Sequence, residues 1–327
     1  MNERRILVTG GTGFIGKHLL HKLKEGKNCQ IYVFTQDKKV EKLKGLDVKY
    51  LYGDVRLYRS LYPAIKWDID VIIHLAALVR RFGRTIKSED FYDVNVRGTN
   101  NVCRFGVEAN IEKMIHVSSV DVHGSLPRSV IPIDETYPFN PSDDYEYSKV
   151  ISEKIALKYY RDYELNVIIL RPTWVYGEGT KGVLNIIKRY IKSLPIIPML
   201  DKGATLKHFV HVNDVVQGII KAIDRGKPGN AYFLADNSPI RIIDLFKMIC
   251  KTWNLKRKFV NIPLSYGVIK YLENMLPVDL RTIITYFYRN QGYNIKKSMS
   301  ELGFVPKISL QEGLKRLKLY EEGVFYE

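Results

Sequence analysis

Short apolar runs, rich in β-branched residues, alternate along the first half of the chain with stretches in which apolar positions recur at helical spacing. The runs are Ile6-Leu7-Val8-Thr9, Ile31 to Thr35, Val48 to Tyr52, Val71 to Leu75, Lys113 to Ser118 and Asn166 to Leu170. Helical periodicity falls between them on Lys17 to Glu25, Phe91 to Ala109 and about Tyr145 to Asp162. A continuous apolar run reads as a strand buried on both faces, and its alternation with helices specifies βαβ units and a parallel sheet. The pattern predicts an α/β fold with roughly six or seven parallel strands.

Beyond Arg171-Pro172 the rhythm loosens. Pro195 and Pro198 flank a short apolar run, and further helices are expected near Asn213 to Asp224 and Ile242 to Trp253. The expected division is a parallel-sheet part over residues 1–178 with a returning segment at about 205–238, and a smaller helix-rich part over 179–204 and 239–327. No internal repeat or low-complexity linker separates them, so the two parts are expected to pack together. Pro263 to Tyr288 is apolar and aromatic; it reads as a helical substrate lid, with contact to a membrane surface as the alternative.

Composition adds limits. The 327 residues, 46% hydrophobic and 26% charged, suffice for a large core. No run of about 18 apolar residues occurs and MNERRILVTG lacks a secretory pattern, so a cytoplasmic protein with no transmembrane segment is expected. Cys29, Cys103 and Cys250 are widely spaced and read as reduced packing residues. A net charge of +16 suits acidic partners, yet lysines spread from Lys17 to Lys318 without a dense block or an aromatic platform. Nucleic acid, anionic lipid and phosphorylated small substrates all qualify on charge alone; the dispersed lysines read as a solvated surface, and no nucleic-acid partner is expected. His74, His116, His123, His208 and His211 sit at strand spacing without metal geometry, so they are read as packing or hydrogen-bonding residues and no metal is expected.

Candidate chemistry begins at Gly10-Gly11-Thr12-Gly13-Phe14-Ile15-Gly16, directly after the first strand and opening the first helix. Glycines there permit a tight turn, close backbone approach to a pyrophosphate and close helix packing, while the helix N-terminus favours the phosphates. An acid about 20 residues on would bind the ribose of NAD. The second strand instead ends Thr35-Gln36-Asp37-Lys38-Lys39. Asp37 favours NAD, whereas Lys38 or Lys39 would meet the extra phosphate of NADP; the balance leans to NAD.

Tyr145 and Lys149 stand four apart in Tyr145-Glu146-Tyr147-Ser148-Lys149, which on a helix puts both on one face. A phenol ionises too high to serve as a base at neutrality, and a neighbouring ammonium is expected to lower it. Tyr145 would then exchange the carbinol proton while hydride moves, with Ser119 holding the same oxygen. Spacing alone is weak, since such pairs are common on helix surfaces and Tyr147 is a nearby decoy.

Further motifs follow in order: Gly53-Asp54-Val55; His74-Leu75-Ala76-Ala77; Asn95-Val96-Arg97-Gly98-Thr99; Val117 to Gly124; Leu170-Arg171-Pro172 with Val175-Tyr176-Gly177; His208 to Asp214; and Glu301-Leu302-Gly303-Phe304. With the glycine turn and the Tyr145/Lys149 pair, they make nearly the whole chain resemble the extended short-chain dehydrogenase/reductase family, the NAD-dependent epimerases and dehydratases. The resemblance implies a Rossmann-type doubly wound sheet with a smaller C-terminal substrate domain, and a homodimer. It implies cofactor contacts from Gly10, Gly13, Phe14, Ile15, Gly16 and Thr35. Asp54 and Val55 would flank the adenine, Leu75, Ala76 and Ala77 the cofactor's centre, and Pro172 to Val175 the nicotinamide. Asn95 would support the site's hydrogen bonds, and Lys149 would reach the ribose. Ser119, Tyr145, Trp174 and Lys207 would meet the substrate, Lys207 standing where nucleotide-sugar enzymes often carry an arginine for the diphosphate. Taken singly, Asp54, Asn95 and Pro172 also read as a strand end, a helix cap and a strand stop.

The resemblance leaves the reaction open. A nucleotide-sugar epimerase, returning the hydride to the other face of a transient ketone, is the favoured expectation. A net dehydrogenase or reductase of a hydroxysteroid- or flavonol-like alcohol is the second, and a non-catalytic dinucleotide-binding protein the third. Dehydration is disfavoured, because sugar dehydratases carry an Asp-Glu pair where this chain has Val120-Asp121.

Overall fold

The computed structural model describes residues 3–26, 29–37, 45–80, 86–180, 182–262 and 289–324. Lys38 and Lys39, and the expected lid Pro263 to Tyr288, lie outside them. The apolar runs of the first half form β1 (Arg4–Thr9), β2 (Cys29–Thr35), β3 (Lys49–Tyr52), β4 (Val71–His74), β5 (Lys113–Val117) and β6 (Val167–Pro172). Around them run α1 (Phe14–Glu25), α2 (Tyr58–Leu61), α3 (Ser88–Phe91), α4 (Gly98–Glu108) and α5 (Asp144–Tyr163). The second half adds β7 (Trp174–Tyr176), α6 (Val183–Ser193), β8 (Ile196–Leu200), β9 (Leu206–Lys207), β10 (Phe209–His211), α7 (Val212–Arg225), β11 (Ala231–Leu234), β12 (Ile240–Arg241), α8 (Ile242–Thr252) and β13 (Lys258–Ile262), and a helix at Leu310–Glu321 follows.

The main sheet has seven strands in the order β11-β6-β5-β4-β1-β2-β3. Every pairing in it is parallel. The strand order reverses direction between β1 and β4, which is the doubly wound, Rossmann arrangement with its ligand crevice at the carboxyl ends of those two strands. Alternate residues of β1 explain the layers. Ile6 and Val8 face a core shared with Leu19, Leu20 and Leu23 of α1 and Val215, Val216 and Ile219 of α7. Leu7 faces the opposite core, with Val102 and Phe105 of α4 and Ala156 of α5. Both faces are covered, as the unbroken apolar character of the strands requires.

A separate core gathers Leu184, Ile187 and Ile191 of α6, Leu245, Phe246 and Ile249 of α8, Leu314 of the last helix, and Tyr176 and Phe209. Beside the sheet, β7 pairs with β10 and β8 with β13, both in parallel, while β9 and β12 are antiparallel. Among the described residues no helix is long and apolar enough to cross a membrane.

One element departs from its expected form. The helix expected over Phe91 to Ala109 is interrupted by a wider π-helical stretch at Tyr92–Arg97 between α3 and α4. Such a bulge inserts an extra residue into a helical turn and redirects side chains, often at functional sites. Here it carries Asn95.

Candidate active site

The carboxyl ends of β1, β2, β3 and β4 open onto a cleft of about 730 Å³ whose walls include Gly10, Gly13, Thr35, Val55 and Leu75 to Leu78. Main chain dominates its floor. Gly10 has φ +74°, and a Cβ there would stand 2.6 Å from the backbone nitrogen of Ala76. A Cβ on Gly16 would fall 2.5 Å from the Gly10 carbonyl, so the first turn of α1 closes against the loop only because that position is bare. At Gly13, the N-cap of α1, no side chain caps the helix, and no acid occupies its first turn. Its dipole and N–H groups therefore face an anion without competition. This cradle, too tight for a Cβ and open to negative charge, fits the pyrophosphate of a dinucleotide.

At the far end of the cleft, Thr35 is buried with its hydroxyl 3.3 Å from that of Thr12, and it accepts the Asp37 amide at 3.1 Å. Gln36, Asp37, Val55 and Arg56 complete this end. The Asp54 carboxylate is drawn to Arg56, 2.6 Å away, which holds it below its ordinary value although burial acts in the other direction. Phe14 packs edge-on against His18 with 5.4 Å between ring centres, and Ile15 packs against the core under the sheet.

Asn95 joins the cleft to α5. Its Oδ1 accepts the Leu78 amide at 2.7 Å, and its Nδ2 donates to the Leu78 carbonyl at 3.0 Å and to Ser148 Oγ at 2.9 Å. Ser148 in turn donates to the Tyr145 carbonyl at 2.7 Å. The loop after β4 and the first turn of α5 are thereby fixed to one side chain, a role closer to a clamp than to the helix cap that the sequence also allowed.

Tyr145 lies in the first turn of α5, which is capped by the Asp143 carboxylate accepting the Glu146 amide at 3.0 Å. Ser119 follows β5, accepts the Asp121 amide at 3.1 Å, and its hydroxyl bears on the ionisation of Tyr145. Lys149 is buried one turn along α5 and donates to the Val117 carbonyl at 2.9 Å. Ser119, Tyr145 and Lys149 are thus gathered at the carboxyl end of β5.

The electrostatics differ from the expectation that Lys149 lowers Tyr145. Burial pushes the Tyr145 phenol well above the usual tyrosine range and Asp121 adds to this; the main opposing influences are Arg80 and the Ser119 hydroxyl. The Arg80 guanidinium carbon sits 4.5 Å from the Tyr145 ring centre. Burial lowers Lys149 to about 8, with Glu153 acting against the shift. Beneath it His74 and His116 stack at 5.5 Å. Burial, helped by the Lys149 charge, holds His74 down at about 3 and His116 well below its usual value.

A charged cluster surrounds this point, and sequence reasoning missed most of it. Arg80 donates to Asp121 at 2.9 Å, Asp143 at 2.5 Å and Glu146 at 2.7 Å. Arg289 pairs with Glu146 and donates to Ser142 Oγ at 2.9 Å. Gln291 Nε2 lies 3.4 Å from Asp121. Arg80 carried one available signal: it follows a parallel strand's carboxyl end, where ligands bind in such sheets. Arg289 and Gln291 carried none.

Other expected residues lie on β6, β7 and β9. Pro172 ends β6 opposite Leu234, and Val175 pairs with Val210. Lys207 is fully buried, donating to the Arg289 carbonyl at 2.6 Å and standing 4.6 Å over the Trp174 ring. Its expected approach to a diphosphate does not match this placement, because a side chain without solvent contact presents no charge to an open cleft; burial also pushes its ammonium well down. His123 and His208 make buried hydrogen bonds, to Pro138 and Asp236 respectively, and His211 accepts the Asn213 amide at 3.2 Å. Cys103 and Cys250 are buried and Cys29 half-buried, all unbridged. Among the described residues no cluster of His, Cys, Asp and Glu has the makings of a metal site.

The chain is 27% identical to the dTDP-D-glucose 4,6-dehydratase of Homo sapiens, with 98% of this chain and 90% of that protein covered. It is 26% identical to a 4-hydroxy-2-methyl-3-oxo-4-farnesyl-3,4-dihydroquinoline-1-oxide ketoreductase of Stigmatella aurantiaca, covering 96% of each. The fold is shared with UDP-glucose 4-epimerase of Thermotoga maritima, solved with UDP-glucose, at a TM-score of 0.79 and 23% identity over 98% of this chain and 99% of that one. The NAD dependent epimerase/dehydratase family matches residues 6–235, and the chain belongs to that family.

Proposed function

We propose that the chain moves a hydride at a carbinol carbon of a nucleotide-sugar and works as an epimerase. The observation that carries the chemistry is the gathering of Ser119, Tyr145 and Lys149 beside the glycine cradle, on a loop and a helix clamped by Asn95. When bound, NAD supplies the hydride acceptor and donor. Tyr145 exchanges the proton of the substrate hydroxyl, and the Ser119 hydroxyl holds the same oxygen. Lys149 supplies a buried cation below the tyrosine, and Asn95 keeps the helix and the cofactor loop in register. NAD rather than NADP is supported by Thr35, whose neutral, buried hydroxyl leaves no cation at that position, and by Asp37 in the cleft wall. Relatives include dTDP-D-glucose 4,6-dehydratases, but Val120 stands where elimination would need an acid and is buried in the apolar core.

A second reading, net oxidation or reduction of a less charged alcohol, is favoured by the burial of Lys207, which removes the cation expected to meet a diphosphate. It is also in keeping with a relative that is a 3-beta-hydroxysteroid dehydrogenase of Mycolicibacterium neoaurum, 24% identical over 98% of this chain. Incubation with a panel of UDP-, GDP- and dTDP-sugars, following epimer formation together with NADH absorbance, separates the two. Epimer formation without net NADH is expected. Steady NAD-linked turnover of a free alcohol, with the sugars inert, would overturn the epimerase reading in favour of the second.

A further inference from the structure

Proton exchange at Tyr145 requires a phenolate, and the fold places that oxygen among carboxylates. The groups that face Tyr145 come from every element packed on it. Asp121 and the Ser119 hydroxyl follow β5; Asp143 and Glu146 open α5; Phe91 of α3 offers only an apolar edge, its ring centre 5.9 Å away. Lys149 lies one turn further, with its ammonium on the Val117 carbonyl. Arg289 reaches Glu146 from the far side. Without Arg80, the phenolate would face Asp121 and Asp143 with Arg289 as the remaining arginine of the cluster, paired with Glu146 and 3.9 Å from Asp143.

We propose that Arg80 is the positioning residue that makes Tyr145 usable as an acid and base. Its guanidinium lies 4.5 Å over the phenol ring, and hydrogen bonds to Asp121, Asp143 and Glu146 gather three carboxylates onto one cation. Three acceptors on a planar fork fix its orientation as a single contact would not. A desolvated cation over an aromatic face favours the ring carrying negative charge, by enough to move an ionisation about one pH unit. The phenolate therefore forms beside a cation rather than among bare carboxylates. The inference rests on the proposed role of Tyr145 in proton exchange.

The test reads Tyr145 directly. Site-specific incorporation of 3-fluorotyrosine at position 145 of the full chain gives one fluorine resonance, and its pH midpoint reports the ionisation of that ring without any substrate. Arg80→Gln is expected to raise the midpoint by about one unit. Arg80→Lys is expected to restore part of the difference, and Asp121→Asn to lower the midpoint. Where Arg80→Gln does not fold, the neutral Arg80→Ser takes its place. An unmoved or lowered midpoint in the neutral variant overturns the proposal, as does a shift of the same sign in Asp121→Asn, since that marks a general loosening of the site. Tyr145→Phe keeps the two readings separate. An active Tyr145→Phe enzyme overturns the hydride reading, whereas an inactive one with an unmoved Arg80→Gln midpoint overturns the Arg80 role alone.

Discussion

The glycine-lined cleft and the charged cluster around Tyr145 are built from different materials. The cleft is made by main chain: bare glycines at Gly10 and Gly16, an uncapped helix start, and the backbone of Leu75 to Ala77. The side around Tyr145 is made by charged side chains that arrive from the loop after β4, the turn after β5, the start of α5 and the segment at Arg289 to Gln291. The first leaves no room for a Cβ at Gly10 or Gly16. The second tolerates shape changes better than it tolerates one unbalanced charge.

The largest effect expected on the charged side lies behind the catalytic helix. Glu153 of α5 holds Arg171 of β6 through bonds of 3.0, 3.3 and 2.7 Å, both side chains nearly without solvent contact. Glu153→Ala should lower the unfolding free energy by about 3–5 kcal/mol in urea titration, because it strands a buried guanidinium. A loss under about 1 kcal/mol would mean that water or Glu135 rescues the charge. On the cleft side, Gly10→Ala should cost about 2–5 kcal/mol from positive φ and a forced backbone contact, and should abolish NAD binding in a fluorescence titration. Retained NAD affinity would break the claim that bare main chain makes the cradle.

Lys149 offers a pH-resolved version of the same contrast. Its folded value of about 8 lies below the unfolded lysine's, so above both values it is neutral in either state and contributes nothing. Between them the unfolded chain binds a proton that the folded protein does not, so stability rises with pH across the window. Below about 8 the penalty is complete, about 3 kcal/mol. Wild-type protein and Lys149→Met should differ in this slope between pH 8 and about 10.4, read by denaturation at each pH. The smallest effect expected is that of Asn95→Ala, about 1–2 kcal/mol, with NAD affinity and turnover falling together because its clamp joins the two regions.

The two regions also differed in how far they could be read from sequence. Strand runs such as Ile6 to Thr9 carry their own burial pattern, and the Gly10 to Gly16 spacing is set by backbone sterics, so fold and cradle are local signals. Tyr145 and Lys149 share a face by helical spacing, which is local as well. Arg80 is far along the chain from Arg289 and Gln291, and the three acquire meaning only when the fold brings their segments together. The sign of the Tyr145 shift was misread for the same reason: the nearest cation along the chain, Lys149, points to the Val117 carbonyl, while the cation over the ring comes from position 80. Lys207 was expected to meet a substrate diphosphate, and its full burial was not legible because sequence shows residue type but not depth. The π-helical stretch that turns Asn95 toward Leu78 leaves no mark in a pattern of apolar positions.

The central claim is that Tyr145 performs proton exchange beside a dinucleotide cradle that is independent of it. Turnover and NAD binding of Tyr145→Phe, measured on one preparation with the sugar or alcohol that the substrate panel identifies, test it most directly. The account predicts turnover reduced by about 10²–10⁴-fold with NAD affinity unchanged. Turnover close to that of the unaltered protein would contradict it.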